Sequence, residues 1–266
     1  MANATYPNFP GKQAEEAIIQ PARFLEYLKS RQSHPAFPPP QGIILCYQRR
    51  LLDYILATHQ TTQPPHGLGL ILLDETEGRV GILGGFGIGA PAAATLLEEF
   101  IALGVSRFLS VGTAGSLQAQ IGIGDLVVCD RAIRDEGVSH HYLASEKYAE
   151  ASALMTKRLS AALNAGGHQF TLGTSWTTDA PYRETRAEVM RYQSEGVACV
   201  EMEAAALFAV AAYRGVELGA MFTMTDSLAS LEWHPEFHSA RTQQGLEILY
   251  QTALACLAPG DGPAIF

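Results

Sequence analysis

Basic residues are scarce in this chain. Eighteen lysines and arginines stand against 27 aspartates and glutamates, a formal net charge of −9. That balance argues against a nucleic-acid backbone or an anionic membrane as main partner, while a few local arginines still suffice for a small anion. Cysteine is equally sparse. Cys46, Cys129, Cys199 and Cys256 are far apart, form no C-x-x-C pair and each lies in an apolar run. A disulfide framework is excluded on that pattern, and buried free thiols in a reducing compartment are expected. No apolar run approaches the length of a membrane span, and the N-terminus has no basic stretch followed by an apolar one, so a cytoplasmic location is expected. Two catalytic signatures are missing as well. Without G-x-S-x-G there is no serine nucleophile elbow. Without H-E-x-x-H, the histidines of His234-Pro235-Glu236-Phe237-His238 read as solvent-facing residues at a helix start. His140-His141 reads as part of a polar loop, and no metal is expected.

What remains is ample apolar material. Forty-seven per cent of the 266 residues are hydrophobic and 17% charged, which suits one large α/β domain. Residues 1–41 read as an irregular arm with prolines at 7, 10, 21, 35, 38, 39 and 40 and one short helix from Pro21 to about Arg31. From residue 42 to 266, strand-like and helical runs alternate. Strands are expected over Gly42–Cys46, Leu68–Leu73, Val80–Leu83, Phe108–Val111, Leu126–Cys129, Phe170–Thr178, Val197–Val200 and Leu218–Thr225. Helices are expected over Arg49–His59, Ala92–Leu103, Ala149–Ala165, Glu184–Ser194, Ala204–Tyr213 and Pro235–Leu257. This alternation predicts an α/β sandwich around a parallel or mixed sheet.

Three segments carry candidate chemistry. In Val200-Glu201-Met202-Glu203-Ala204-Ala205-Ala206, two carboxylates stand where a strand meets an apolar helix that stops at Gly215. Glu203 is expected in the first helical turn, where the helix dipole favours its anion, and an anion fixed in a cleft is a good acceptor for sugar hydroxyls. An ordinary helix-capping acid with a salt-bridged neighbour fits the same spacing. The run Gly84-Gly85-Phe86-Gly87-Ile88-Gly89-Ala90-Pro91 joins a strand to a helix, where glycines admit a ligand close to the backbone and a helix N-terminus offers N–H groups to an anion. It also fits a loose G-x-G-x-x-G/A pattern, but no acid follows at the dinucleotide-binding distance, and a tight strand–helix turn accounts for it as well. The run Ser110-Val111-Gly112-Thr113-Ala114-Gly115-Ser116 follows an apolar strand, where open α/β sheets place ligands or plain turns. Asp226 closes another apolar strand. Burial there is expected to raise its pKa, as a proton donor requires, although a turn or helix cap is an alternative.

These pieces resemble, in order and from about Gly42 to Cys256, the nucleoside phosphorylase/nucleosidase superfamily. The motifs are Gly85–Pro91, Val111-Gly112-Thr113-Ala114-Gly115 with Gly124-Asp125-Leu126-Val127-Val128, Val200-Glu201-Met202-Glu203-Ala204, and Thr225-Asp226. The resemblance implies a single three-layer α/β/α domain with a mixed, partly barrel-like sheet, and cleavage of an N-glycosidic bond. It implies no cofactor, phosphate or water as co-substrate, and homo-oligomers built from dimers, hexamers among them. By the same resemblance Glu203 holds ribose hydroxyls, Met202 packs on the sugar and Glu201 supports the site. Ile88, Thr113, Ala114 and Gly115 line the pocket, with Thr113 and the Gly85–Gly89 turn, Gly87 included, toward phosphate. Asp226 matches the acid that purine-cleaving members set against the base, and Tyr182 offers an aromatic face where Pro181 replaces a frequent Phe.

Two departures bear on the nucleophile. The loop that usually reads Pro-Gly-Asp-Pro-x-Arg is Cys46-Tyr47-Gln48-Arg49-Arg50 here, and Ser110 stands where phosphorylases carry an arginine. Arg49, Arg50, Arg183 or a neighbouring subunit's arginine is then expected to rebuild the phosphate site. The expectation is a nucleoside phosphorylase acting on a purine nucleoside. A uridine phosphorylase or a water-using nucleosidase is the alternative, and a non-catalytic nucleoside-binding protein or an NAD(P)-dependent oxidoreductase stands behind both.

Overall fold

The fully buried strand Gly42–Cys46 begins the sheet, and helices cover both its faces. In this computed structural model residue 9 and residues 11–257 are described. Of the arm expected over 1–41, residues 1–8 and Pro10 lie outside the described residues, as do residues 258–266 of the expected domain. The strands are β1 (Gly42–Cys46), β2 (Thr61–Thr62), β3 (Leu70–Leu73), β4 (Val80–Gly84), β5 (Arg107–Ser116), β6 (Leu126–Asp135), β7 (Tyr148–Glu150), β8 (Thr171–Thr178), β9 (Cys199–Glu201), β10 (Glu217–Ser227) and β11 (His234–Pro235). The helices are α1 (Pro21–Ser30), α2 (Arg49–Thr58), α3 (Ala90–Ala102), α4 (Ser139–Tyr142), α5 (Ala153–Ala165), α6 (Arg186–Ser194), α7 (Ala204–Arg214) and α8 (Ala240–Leu257).

The sheet runs β11-β10-β6-β8-β9-β5-β1-β4-β3-β2, with β7 on β6 and a further pairing of β10 with β5. That last pairing closes β5, β10, β6, β8 and β9 into a five-stranded barrel. Its ring is mixed: β5–β10, β6–β8 and β8–β9 are parallel, and β10–β6 and β5–β9 antiparallel. One face packs on α3 and α7 through Leu97, Phe100, Leu207 and Phe208. The other packs on α2, α5 and α8 through Leu51, Leu159, Leu249 and Tyr250. The expected three-layer arrangement with a barrel-like sheet is therefore what forms. Ala-rich α7 is buried from Ala204 to Ala211 because it is covered on all sides, and Gly215 ends it at φ 70°. Helix α8 comes close to β10 only because residue 245 is glycine: a Cβ there would sit 2.2 Å from Thr223 Oγ1.

Several boundaries differ from the sequence pattern. β5 continues through Gly112–Ser116 as a strand, so that motif is neither a turn nor a loop. Its small residues look like turn formers but serve a barrel wall that other strands and side chains press against. The expected helix from Ala149 begins at Ala153, since Tyr148–Glu150 pairs with β6 and Ser152 caps the helix. The expected helix from Pro235 begins at Ala240, because His234 and Pro235 pair back on Ser227 and Asp226. His234 and His238 are exposed but precede that helix, and His140-His141 lies in α4 rather than in a loop. Among the described residues no helix is long and apolar enough to cross a membrane.

Candidate active site

The C-terminal ends of β5, β9 and β10 converge with the segments after β1, β4 and β8 on a cleft of about 510 Å³. Glu201, Met202, Glu203, Thr113, Ala114, Gly115, Ile88, Tyr182 and Asp226 all line it. Gly87, Arg49 and Arg50 do not. Gly87 is exposed at the tip of its turn, Arg49 pairs with Asp53 at 2.8 Å on the surface of α2, and Arg50 is exposed. Arg183 is exposed too.

Glu203 is the N-cap position of α7, one residue before the first turn in which it was expected, and its side chain makes no cap bond. The capping acid is Glu201. Its Oε2 accepts from the N–H groups of Glu203 and Ala204, each at 2.7 Å. Its Oε1 accepts from Ser175 Oγ at 3.0 Å and from Thr177 Oγ1. Burial pushes Glu201 above the usual carboxylate range while these four donors pull the other way. Glu201 thus ties β8, β9 and α7 together, and its acceptor capacity is spent inside the protein.

Glu203 is left to face the cleft. Its Oε1 accepts from Gly89 N–H. Gly89 holds φ 101° and ψ 151°, a conformation available essentially to glycine. The N–H at the mouth of α3, expected to face phosphate, is therefore used to aim a carboxyl. Burial, then the charge of Glu201, raises Glu203 to about 8, opposed by the backbone N–H groups of Gly89 and Met202. No ion pair accompanies it among the described residues.

Asp226 reaches the cleft through a β-bulge. The register of β10 on β5 slips between Met224 and Asp226, so Thr225 is the extra residue and Asp226 falls opposite Gly115. A Cβ at 115 would lie 2.9 Å from Asp226 Oδ2, so the glycine is what lets this carboxylate rest against the strand. Oδ1 accepts from Thr225 Oγ1 at 2.8 Å and Oδ2 from Trp233 Nε1 at 2.9 Å. Asp226 is a strand residue and neither a turn nor a cap. It is only half-buried, not sealed as its apolar strand suggested, because the strand end opens into the cleft.

Tyr47 and Gln48 occupy the end where the arginines were expected. Tyr47 OH lies 3.1 Å from Ser110 Oγ, and its ring meets Phe86 edge-on at 5.4 Å. Burial and then the charge of Glu203 hold its phenol well above its ordinary pKa, so it stays neutral. Gln48 Nε2 donates to Thr113 Oγ1 at 2.8 Å, and its Oε1 is buried without a partner among the described residues. The charged residues of the lining are Glu184, Glu201, Glu203 and Asp226, with no lysine, arginine or histidine.

Sequence reasoning passed over Tyr47, Gln48, Glu184, Trp233 and Phe237, all of which line the cleft. For Tyr47 the signal is present in the sequence, an aromatic residue in the loop Cys46–Arg50 that departs from the family's pattern. Trp233 and Phe237 lie 6.0 Å apart and largely exposed in the segment between β10 and α8. Exposed aromatics in an irregular stretch are a readable sign of a ligand-facing rim.

A barrel-edge cleft with one carboxyl aimed by a glycine turn and a second placed by a bulge has the shape and polar groups to take a small polar molecule at the strand ends. Residues 49–258 match the phosphorylase superfamily, and the chain belongs to that family. It is 35% identical over 144 residues to guanosine phosphorylase of Halorubrum lacusprofundi, covering 54% of this chain and 60% of the relative. It is 31% identical over 147 residues to uridine phosphorylase of Haemophilus influenzae, covering 50% and 58%. The chain thus spans about three-fifths of the length of these curated relatives. The fold matches the crystal structure of uridine phosphorylase from Vibrio fischeri with a TM-score of 0.69 at 24% identity, over 82% of this chain and 91% of that one.

Proposed function

We propose that this chain cleaves the N-glycosidic bond of a purine nucleoside with phosphate, releasing free base and ribose 1-phosphate. The observation that carries the reading is that Glu203 and Asp226 line one cleft, the first held by a backbone N–H and the second by neighbouring donors. Glu203 accepts from ribose hydroxyls and Met202 covers the sugar. Tyr182 and Trp233 offer apolar faces to the base, and Asp226 faces the base edge. The transition state places positive charge on the sugar, which a carboxylate next to it stabilises, and negative charge on the departing base, which a proton relieves. Guanosine phosphorylase among the relatives supports a purine, and uridine phosphorylase keeps the pyrimidine alternative in view.

Phosphate needs positive charge, and this chain's own lining offers none. Phosphorolysis is completed on this reading by a cation from a second subunit, in a dimer-based assembly whose interface reaches the cleft. The same absence favours a second reading, hydrolysis, in which a neutral water is held at the Tyr47, Gln48 and Thr113 end. The buried Cys46, Cys129 and Cys199 thiols are free and suit a cytoplasmic enzyme.

Incubation with inosine, guanosine, adenosine and uridine, with and without phosphate, tests the reading. Free base with sugar 1-phosphate only when phosphate is present is the expected result. Free base with free sugar in both conditions establishes the hydrolytic reading. Nucleoside bound but unchanged in every arm leaves a binding protein.

A further inference from the structure

The cleft holds one more carboxyl than the proposed reaction has used. Glu184 follows the single 3-10 turn Pro181–Arg183, just ahead of α6, and lines the cleft half-buried. Asp226 of β10 lines the same cleft, and its charge, then that of Glu188 of α6, acts on Glu184. Glu188 is already committed, accepting from the N–H and Oγ1 of Thr185 in the capping box that opens α6. Asp226 is committed too, with one donor on each oxygen. Glu184 takes no hydrogen bond from any described residue. Arg183 and Arg186, beside it in sequence, are exposed, and no cation lines the cleft. Two carboxyls in one cleft without a counter-charge cannot both ionise cheaply. Asp226 is arranged as the acceptor, so Glu184 is the one left to carry a proton. Burial and then the charge of Asp226 raise it to about 7.

We propose that Glu184, in the same cleft as Asp226, carries a proton at the base end and delivers it to the leaving base. The proposal rests on the nucleoside-cleaving reading above. The bond between C1′ and the base nitrogen breaks, and its electron pair goes to the base. The nucleophile's oxygen bonds to C1′. The carboxyl proton of Glu184 moves to a ring nitrogen of the base, N7 in a purine, and the base leaves neutral. Glu184 is then a carboxylate in the same cleft as Asp226, and that repulsion draws a proton back from solvent for the next cycle. Asp226 acts here as a positioning residue that keeps Glu184 protonated near neutral pH.

Binding of free hypoxanthine tests this without turnover. Trp233 donates to Asp226 and is 59% exposed, whereas Trp176 is 1% exposed, so quenching of Trp233 fluorescence reads out the base end. Hypoxanthine affinity is expected to fall by about tenfold from about pH 6 to about pH 8, one pKa unit above the group that donates to it. In Glu184→Gln the affinity becomes independent of pH over that range, and in Asp226→Asn the midpoint moves to lower pH. Glu184→Gln is also expected to lower kcat with inosine by about 10²-fold or more. It leaves 7-methylinosine cleavage nearly unchanged, because that base departs without needing a proton. Three results would overturn Glu184 as the proton donor: no hypoxanthine binding, binding that ignores pH in the wild-type protein, or a pH dependence that survives in Glu184→Gln. Glu184-dependent binding with no cleavage of any nucleoside would instead overturn the cleavage reading and leave the proton on Glu184 standing.

Discussion

Glu203→Gln is expected to lower kcat/KM for a nucleoside by about 10²–10⁴-fold while the fold survives. The charge on the carboxylate carries this effect. Two ribose hydroxyls donating to an anion form two charge-assisted hydrogen bonds of about 1.5–3 kcal/mol each, and in Gln the NH2 group that faces the sugar cannot accept, so both are lost. The amide keeps the size of the side chain and an oxygen for Gly89 N–H, so α3 and α7 keep their contact. Steady-state kinetics beside a thermal melt separate the two effects. Unchanged catalytic efficiency would remove Glu203 from the sugar site. A pH dependence accompanies it. Glu203 in the free protein is raised to about 8, so below that it carries a proton, whereas sugar hydroxyls favour the anion. Nucleoside affinity should rise with pH up to about 8 and then level off, and binding near neutrality should release a proton. The sign for stability is opposite. The folded chain keeps a proton on Glu203 that the unfolded chain has lost, so this contribution is full below the unfolded carboxylate value and disappears as pH rises through about 8.

Asp226→Ala is expected to cost about 10²–10⁴-fold in kcat with a purine nucleoside, the range for loss of acid–base assistance to the leaving base, which Asp226 supports by keeping a proton on Glu184. The same change frees Trp233 Nε1 and removes the charge that acts on Glu184, so it disables the whole base end of the cleft. The loss should shrink for 7-methylinosine. Uracil has no N7, and a protein that cleaves uridine well but inosine hardly at all would contradict this role for Asp226.

The alternation of apolar strands and helices was enough to read a mixed α/β fold, because buried strands and an all-apolar helix leave plain patterns. The barrel-like sheet followed from the family resemblance alone, since its closure leaves no local pattern. That closure depends on β10 pairing with both β5 and β6, and on a three-residue β9 that carries too few residues to show a period. The Val200–Ala206 motif pointed to both carboxylates, and of the two ordinary roles suggested by its spacing only the capping one is filled. Glu201 caps the helix, whereas Glu203, without a salt bridge, turns to the cleft. What separates them is a contact with Gly89, 114 residues away in sequence, which no local pattern records. Asp226 showed as a strand-end acid, but its half-exposed setting depends on a bulge at Thr225 and on Trp233. The arginines of the Cys46–Arg50 loop drew attention by their charge. Helix α2 turns Arg49 and Arg50 to solvent, because Leu51, Leu52 and Ile55 must face the core. Glu184 carried no local signal, since its proton affinity arises from burial and from a carboxylate 42 residues further along the chain.

Carbon NMR of inosine labelled with ¹³C at C1′, incubated with the protein and phosphate, follows the atom at which the central reaction takes place. The C1′ resonance is expected to move from inosine to ribose 1-phosphate with the wild-type protein, and to stay on inosine over the same period with Glu203→Gln. A resonance that remains on the nucleoside with the wild-type protein, for labelled inosine and labelled uridine alike, would contradict cleavage of the N-glycosidic bond in this cleft.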